Sequence, residues 1–218
     1  MQNNEGTKPD MTKLIYIEVS PRKERSHSIA VAEAFLDAYR AANPDHEIDK
    51  MDLWDTELPE LNLAMIDAKY RLLDLDTLDD REANAWKDVE AVFNRVNSAD
   101  KIVLSTPMWN FNVPYKLKHL IDIIIQPDLA FAVVEGGYEG LVKGKRAMVI
   151  VARGAAYLPP SDFFEVDFQK RYIDFLLSFI GFEDIRSLVV EPMLSPPEEQ
   201  AATRARLIEE ARAAAAEF

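Results

Sequence analysis

Cysteine is absent from the 218-residue chain, which removes disulfide bridges, thiolate metal sites and a cysteine nucleophile from consideration. Histidine is scarce. His27, His46 and His119 are scattered, with no two of them three or four residues apart, so neither a zinc site nor any other metal is expected. No apolar run reaches the roughly 20 residues needed to cross a bilayer. Met1 to Asp10 is polar and lacks the apolar stretch of a signal peptide. The expected compartment is therefore cytoplasmic, without a membrane span. Positive charge is also in short supply: 25 Lys and Arg stand against 38 Asp and Glu, for a formal net charge of −13. Such a surface repels phosphate backbones and argues against nucleic-acid binding. One helix N-terminus can still reverse the local field for a small anion.

What is present is a regular alternation of short apolar runs and amphipathic segments. Leu14–Val19, Lys101–Thr106, Ala147–Val151 and Ile185–Val190 read as buried strands, with a weaker one near Ile48–Leu53. Helical spacing marks Ile29–Tyr39, the segment around Trp86, Val89, Phe93 and Val96, and Leu117–Ile124 with Pro114 inside its first turn. It also marks the run carrying Phe168, Tyr172, Phe175, Leu176 and Phe179, which Gly181 ends, and the alanine-rich tail from Pro197 to Phe218. Asp55 to Leu78 reads as a partly helical excursion, and Phe131 to Lys145 has a hairpin-like character. Five strand–helix alternations predict an α/β protein with a parallel sheet and helices on both faces. Residues 1–12 read as a flexible lead and 13–218 as one domain. Ligands of such sheets bind at the carboxyl edge of the strands.

Three loops at that edge have unusual composition. Ser20 to Ser28, after the first strand, offers hydroxyls and a helix start but no glycine, so it is neither a Walker loop nor a dinucleotide fingerprint. Ser20, Ser26, His27 and Ser28 suit a phosphate, aided by the helix dipole; Ser26 or Ser28 serves equally as a plain N-cap. Arg22, Lys23 and Arg25 are either a solvated charge cluster or a means of lowering repulsion around a dianion. Pro107 to Pro114 places Met108, Trp109, Asn110 and Phe111 after the third strand, matching the apolar face and polar edges of a flat heteroaromatic ring. The alternative is a rigid turn with Trp109 in the core and Asn112 capping the next helix. Ala152, Arg153, Gly154 and Ala155, with Tyr157 following, would let backbone approach a planar ligand. Taken alone, Arg153 reads more simply as a solvent-facing side chain.

Together these segments resemble the FMN-dependent NADH:quinone oxidoreductases, also called NADH-azoreductases. The likeness runs from about Lys13 to near Val190. Its most specific part is Pro107-Met108-Trp109-Asn110-Phe111-Asn112-Val113-Pro114 followed by Lys116-Leu117-Lys118. Glu139-Gly140-Leu141, Gly144-Lys145, Arg153-Gly154 and Phe179-Ile180-Gly181-Phe182 support it. The resemblance implies a flavodoxin-like five-stranded parallel sheet in the order 2-1-3-4-5. It implies FMN held by Ser20, Ser26, His27 and Ser28 at the phosphate and ribityl chain. Met108, Trp109, Asn110 and Phe111 would line the ring, and Ala152, Arg153, Gly154 and Ala155 its other edge. A substrate pocket of Trp109, Phe131, Val133 and Tyr157 would take quinone and azo acceptors. NADH or NADPH would reduce the flavin by two-electron ping-pong hydride transfer through N5. No side chain is an obligate acid or base; Asn110, Phe111 and Arg153 would tune the ring. A homodimer is implied, each site completed by the partner subunit. His27, Val133, Tyr138, Ala152 and Ala155 depart from the family pattern. The rival reading is a flavodoxin-like electron carrier that does not oxidise nicotinamide.

Overall fold

The computed structural model describes residues 11–74 and 76–218. The expected lead thus falls largely outside the described residues, although the Thr12 carbonyl already accepts the Glu47 amide at 3.0 Å.

Strand periodicity builds the layers. In β1 (Lys13–Glu18), Ile15 and Ile17 face one side of the sheet, and Leu14 and Tyr16 face the other. β3 (Lys101–Pro107) and β6 (Arg146–Ala152) follow the same rule, with Val103, Met148 and Ile150 on the Leu14 side and Ile102, Leu104, Ala147 and Val149 on the opposite side. Burial on both faces explains why these strands read as continuous apolar runs. The Leu14 side is covered by α1 (His27–Ala42) and α6 (Pro197–Ala216), which pack Phe35, Leu36, Tyr39, Leu207 and Ala211 into it. The other side is covered by α3 (Asp80–Asn97), α4 (Tyr115–Ile124) and α5 (Lys170–Ile180) through Phe93, Val96, Leu117, Leu120, Ile173 and Ile180. Each fully buried large apolar side chain contributes about 1.5–3 kcal/mol.

The excursion before α3 contains α2 (Leu63–Leu73), whose Met65 and Ala68 pack beside Trp86 and Val89. Pro114 precedes α4 as its N-cap and is not inside the first turn; no side chain caps this helix. Asn112 instead accepts the amide of its neighbour Val113 at 2.8 Å. No helix among the described residues is long and apolar enough to cross a membrane.

With β2 (Glu47–Asp52) and β7 (Asp184–Val190), all five strands pair in parallel. Their order in chain numbering is β2-β1-β3-β6-β7, not the expected 2-1-3-4-5. The difference arises because the 131–145 segment forms two strands of its own. β4 (Phe131–Val134) and β5 (Gly137–Gly140) pair antiparallel with each other and stay outside the main sheet. Gly136 and Gly137, at φ 87° and 157°, make the turn between them. The parallel pairing places the ends of β1, β2, β3 and β6 on one edge, where the three unusual loops emerge.

Candidate active site

The first loop is anchored from below. Glu18 ends β1 with its side chain 2% exposed, between the Lys23 ammonium at 3.1 Å and the Lys50 ammonium at 2.7 Å. Lys23 also pairs with Asp52 and adopts φ 50°, an uncommon conformation for lysine. Burial opposes ionisation of Asp52, but the Lys23 ammonium and the Trp54 amide hold its carboxyl below the usual range. Tyr16 bonds Ser105 across the strands at 2.9 Å, and burial pushes its phenol far up. Lys23 therefore spends its charge on two carboxylates and does not lower repulsion around a dianion. The buried Glu18 was not apparent from the sequence.

Above this base, Ser20 and Ser28 are fully buried and Ser26 nearly so. Ser26 is the N-cap of α1, accepting the Ile29 amide at 3.4 Å, and its Oγ lies 3.2 Å from Ser28 Oγ. Capping leaves the His27 and Ser28 amides without an acceptor among the described residues. The Nδ1 atom of His27 is buried without a partner. Burial, then Arg22 and Arg204, hold its imidazole below the ordinary value. Two hydroxyls, two free amides and an orphaned ring nitrogen at a helix N-terminus fit a phosphate.

The second loop is a two-residue turn. Trp109 and Asn112 exchange backbone bonds of 2.8 and 2.9 Å, and Asn110 and Phe111 between them have φ 47° and 66°. Two consecutive positive φ values are the signature of a type I′ turn. Asn adopts this conformation readily, whereas Phe does not. The turn leaves the Asn110 and Phe111 amides without an acceptor among the described residues. The third loop lies alongside, since Met108 donates to the Ala152 carbonyl at 2.9 Å. The Phe111 and Tyr157 rings meet edge-on at 6.4 Å. Met193 and Leu194 donate to the Gly154 carbonyl at 2.9 and 2.8 Å, which ties this loop to the segment that follows β7. A Cβ at Gly154 would come within 2.7 Å of the Leu194 side chain.

Arg153 is not solvent-facing. It is 1% exposed, with Nη2 2.9 Å from Asp167 and Nη1 3.3 Å from Glu191. Its charge already faces two carboxylates, so it is not a free cation beside a ligand. Of the residues expected to form the acceptor pocket, Phe131 and Val133, on β4, stand apart from Tyr157 and Phe111 within one chain. Phe131 packs on Phe179 at 5.1 Å and on Tyr138 at 5.7 Å, near the end of α5, while Phe111 meets the start of α5 through the Phe168 amide. A helix of 11 residues, about 16 Å, separates the two places. Trp109 instead joins Trp54 at 6.1 Å and Tyr115 at 6.4 Å. These aromatics stand beside an open groove of about 520 Å³ lined by Trp109, Asn110, Tyr115 and His119. Trp54, held by its indole N–H to the Val19 carbonyl at 2.7 Å, went unnoticed in the sequence. Its signal was available: a large aromatic immediately after the second strand.

Comparison with known proteins shows what the chain is similar to. A family described as having the flavodoxin-like fold matches residues 12–215. The FMN-dependent NADH:quinone oxidoreductase of Desulfotalea psychrophila is 46% identical over 203 residues, 93% of each chain. That of Nitratidesulfovibrio vulgaris is 44% identical over 209 residues, covering 95% of this chain and all of its own. Among solved structures, an azoreductase from Bacillus anthracis superposes with a TM-score of 0.87 at 28% identity, over 95% of this chain and 100% of that one. An FMN-dependent NADH-azoreductase from the same species, in complex with FMN, gives 0.83 at 26% identity, over 94% and 100%. The chain belongs to the flavodoxin-like family of FMN-dependent NADH:quinone oxidoreductases.

Proposed function

We propose that this protein uses FMN and NADH or NADPH to reduce quinones, and azo compounds as further acceptors. The observation that carries the reading is a set of unpartnered amides gathered at one sheet edge: His27 and Ser28 at a helix start, Asn110 and Phe111 in a type I′ turn. Bound FMN would supply the redox chemistry, accepting a hydride from the nicotinamide and passing two electrons on. Ser20, Ser26, His27 and Ser28 hold its phosphate and ribityl chain in this proposal. Met108, Trp109, Asn110 and Phe111 line the ring, and Ala152, Arg153, Gly154 and Ala155 form the opposite edge through their backbone. Preorganised N–H donors at Asn110 and Phe111 then stabilise the negative charge that the ring gains on reduction.

The chain from residue 13 onward acts as one cofactor-binding domain, in the cytoplasm, and as a homodimer. The homodimer has specific support. Val133, Tyr138, Phe168, Phe175 and Tyr115 are 62%, 65%, 52%, 63% and 63% exposed, a large apolar display for a monomer. Phe131 and Val133 of a second copy would then complete the acceptor pocket that one chain leaves open.

The test is an absorption spectrum of purified protein before and after NADH under argon. A yellow protein that bleaches rapidly by two electrons is expected. A holoprotein that stays oxidised would identify a one-electron carrier, and a colourless protein that refuses added FMN would overturn the assignment.

A further inference from the structure

Beneath the second and third loops lies a buried ionic cluster to which none of the binding roles above assigns a purpose. Arg153 sits between Asp167 and Glu191, whose side chains are 2% and 8% exposed. One guanidinium against two carboxylates leaves a net formal charge of −1 in the protein interior. Burying unequal charge is unfavourable unless hydrogen bonds compensate it, and here they do. Glu191 accepts the Tyr157 amide at 3.0 Å and the Leu158 amide at 2.9 Å, so it grips the third loop from behind. Asp167 Oδ1 accepts the Gln169 and Lys170 amides at 3.1 and 2.9 Å and starts α5, leaving Oδ2 for Arg153. The same segment reaches the second loop: Gln169 Nε2 donates to the Pro107 carbonyl at 2.7 Å, and the Phe168 amide to the Phe111 carbonyl at 3.1 Å. Arg153 itself stays under-bonded. Its Nε and Nη2 have no well-aligned acceptor, and its guanidinium lies 5.6 Å from the Tyr157 ring. The cluster therefore acts mainly through charge and through the two loops that its carboxylates hold.

We propose that Asp167 and Glu191 are positioning residues of the redox site: they join the second and third loops through Arg153 and, by over-compensating its charge, hold the midpoint potential of bound FMN down. The inference rests on the cofactor reading above. The ring gains negative charge on reduction, and a neighbouring net anion disfavours that state. Neutralising one carboxylate frees the arginine's field and favours the reduced form.

The experiment compares holoprotein with Asp167→Asn, Glu191→Gln and Glu191→Asp. It measures the two-electron midpoint potential by spectroelectrochemistry and the dissociation constant for oxidised FMN. Asp167→Asn keeps the Oδ1 bonds that start α5, removes the negative charge and turns an amide NH2 in place of Oδ2 toward Arg153. It should strengthen binding of reduced over oxidised flavin by about tenfold, a positive shift of about 30 mV for a two-electron couple. Glu191→Gln should shift the same way while weakening FMN, because one backbone amide loses its acceptor. Glu191→Asp retains the charge and should keep the potential of the unaltered protein, even where a shorter reach weakens FMN. Unaltered potentials in both neutral variants would overturn the proposal, whatever happens to FMN affinity or stability, since a merely structural cluster moves only those. An equal shift in Glu191→Asp would overturn it too. Unaltered protein that binds no FMN at all would instead refute the cofactor reading.

Discussion

Side chains at the sheet edge divide into those that face a ligand and those that hold the facing ones. Ser26 and Ser28 are of the first kind. Replacing both by Asp puts two carboxylates where a dianion would sit, so purified Ser26→Asp/Ser28→Asp protein should be colourless; a yellow holoprotein would remove the phosphate from that place. His27 carries a pH signature. Burial lowers its folded-state pKa below the ordinary 6.5, so the unfolded chain binds the proton more readily. Its contribution to stability is therefore fully present above about pH 6.5 and is lost as pH falls through that value toward the lower folded one. In protein freed of cofactor, the melting temperature should drop below about pH 6.5, and His27→Gln should flatten that drop; an unchanged pH slope would show that His27 does not titrate there. Phe111 illustrates conformational strain. Its φ of 66° costs about 1–2 kcal/mol that glycine would not incur. Phe111→Gly should thus be no less stable in denaturant melts despite losing the contact with Tyr157, while its turnover of quinones falls. None of this strain was visible in Trp109-Asn110-Phe111-Asn112, where no glycine advertises a turn.

At the level of elements, regular structure followed from periodicity wherever burial was two-sided. β1, β3 and β6 are recognisable because both faces are covered, and β2 is faint because its residues are mostly half-exposed. The helix α5 shows the limit of the method. Its aromatic stripe suggested Phe168, Tyr172, Phe175 and Phe179 as one face, yet Ile173 and Ile180 enter the core, Phe175 is 63% exposed, and Phe168 lies before the helix. Periodicity identifies an apolar face but does not say whether the chain itself covers it. The hairpin β4–β5 is fastened to the same helix at Gly140. A Cβ there would stand 2.4 Å from the Ile180 carbonyl carbon and 2.5 Å from the Gly181 nitrogen, both backbone atoms that do not yield easily. Gly140→Ala should accordingly destabilise the protein by about 1–3 kcal/mol and unseat the hairpin. Urea melts and proteolysis near residues 135–137 report the two effects, and an unperturbed midpoint would show the hairpin to be loosely docked.

For the whole molecule, the consequential question is where the acceptor pocket closes. Phe131 and the Phe111–Tyr157 contact lie at opposite ends of α5, so in the proposed homodimer a second copy completes the pocket. Trp109→Ala should then change acceptor preference by an order of magnitude while FMN remains bound; equal loss of flavin and of all activities would contradict that division. Dilution below the dimer dissociation constant should abolish quinone reduction together with the dimer peak in light scattering, and full activity in a demonstrated monomer would refute a shared site. By itself the sequence determined the α/β class, the strand cores and the three edge loops, because alternation and local composition are properties of neighbouring residues. Tertiary structure alone decided that Arg153 is buried between Asp167 and Glu191, that Lys23 turns to Glu18 and Asp52, and that Trp54 joins Trp109. Apart from Lys23 and Glu18, five residues apart, those partners lie well separated along the chain, and the parallel crossovers that bring β1, β2, β3, β6 and β7 to a common edge are what bring them together.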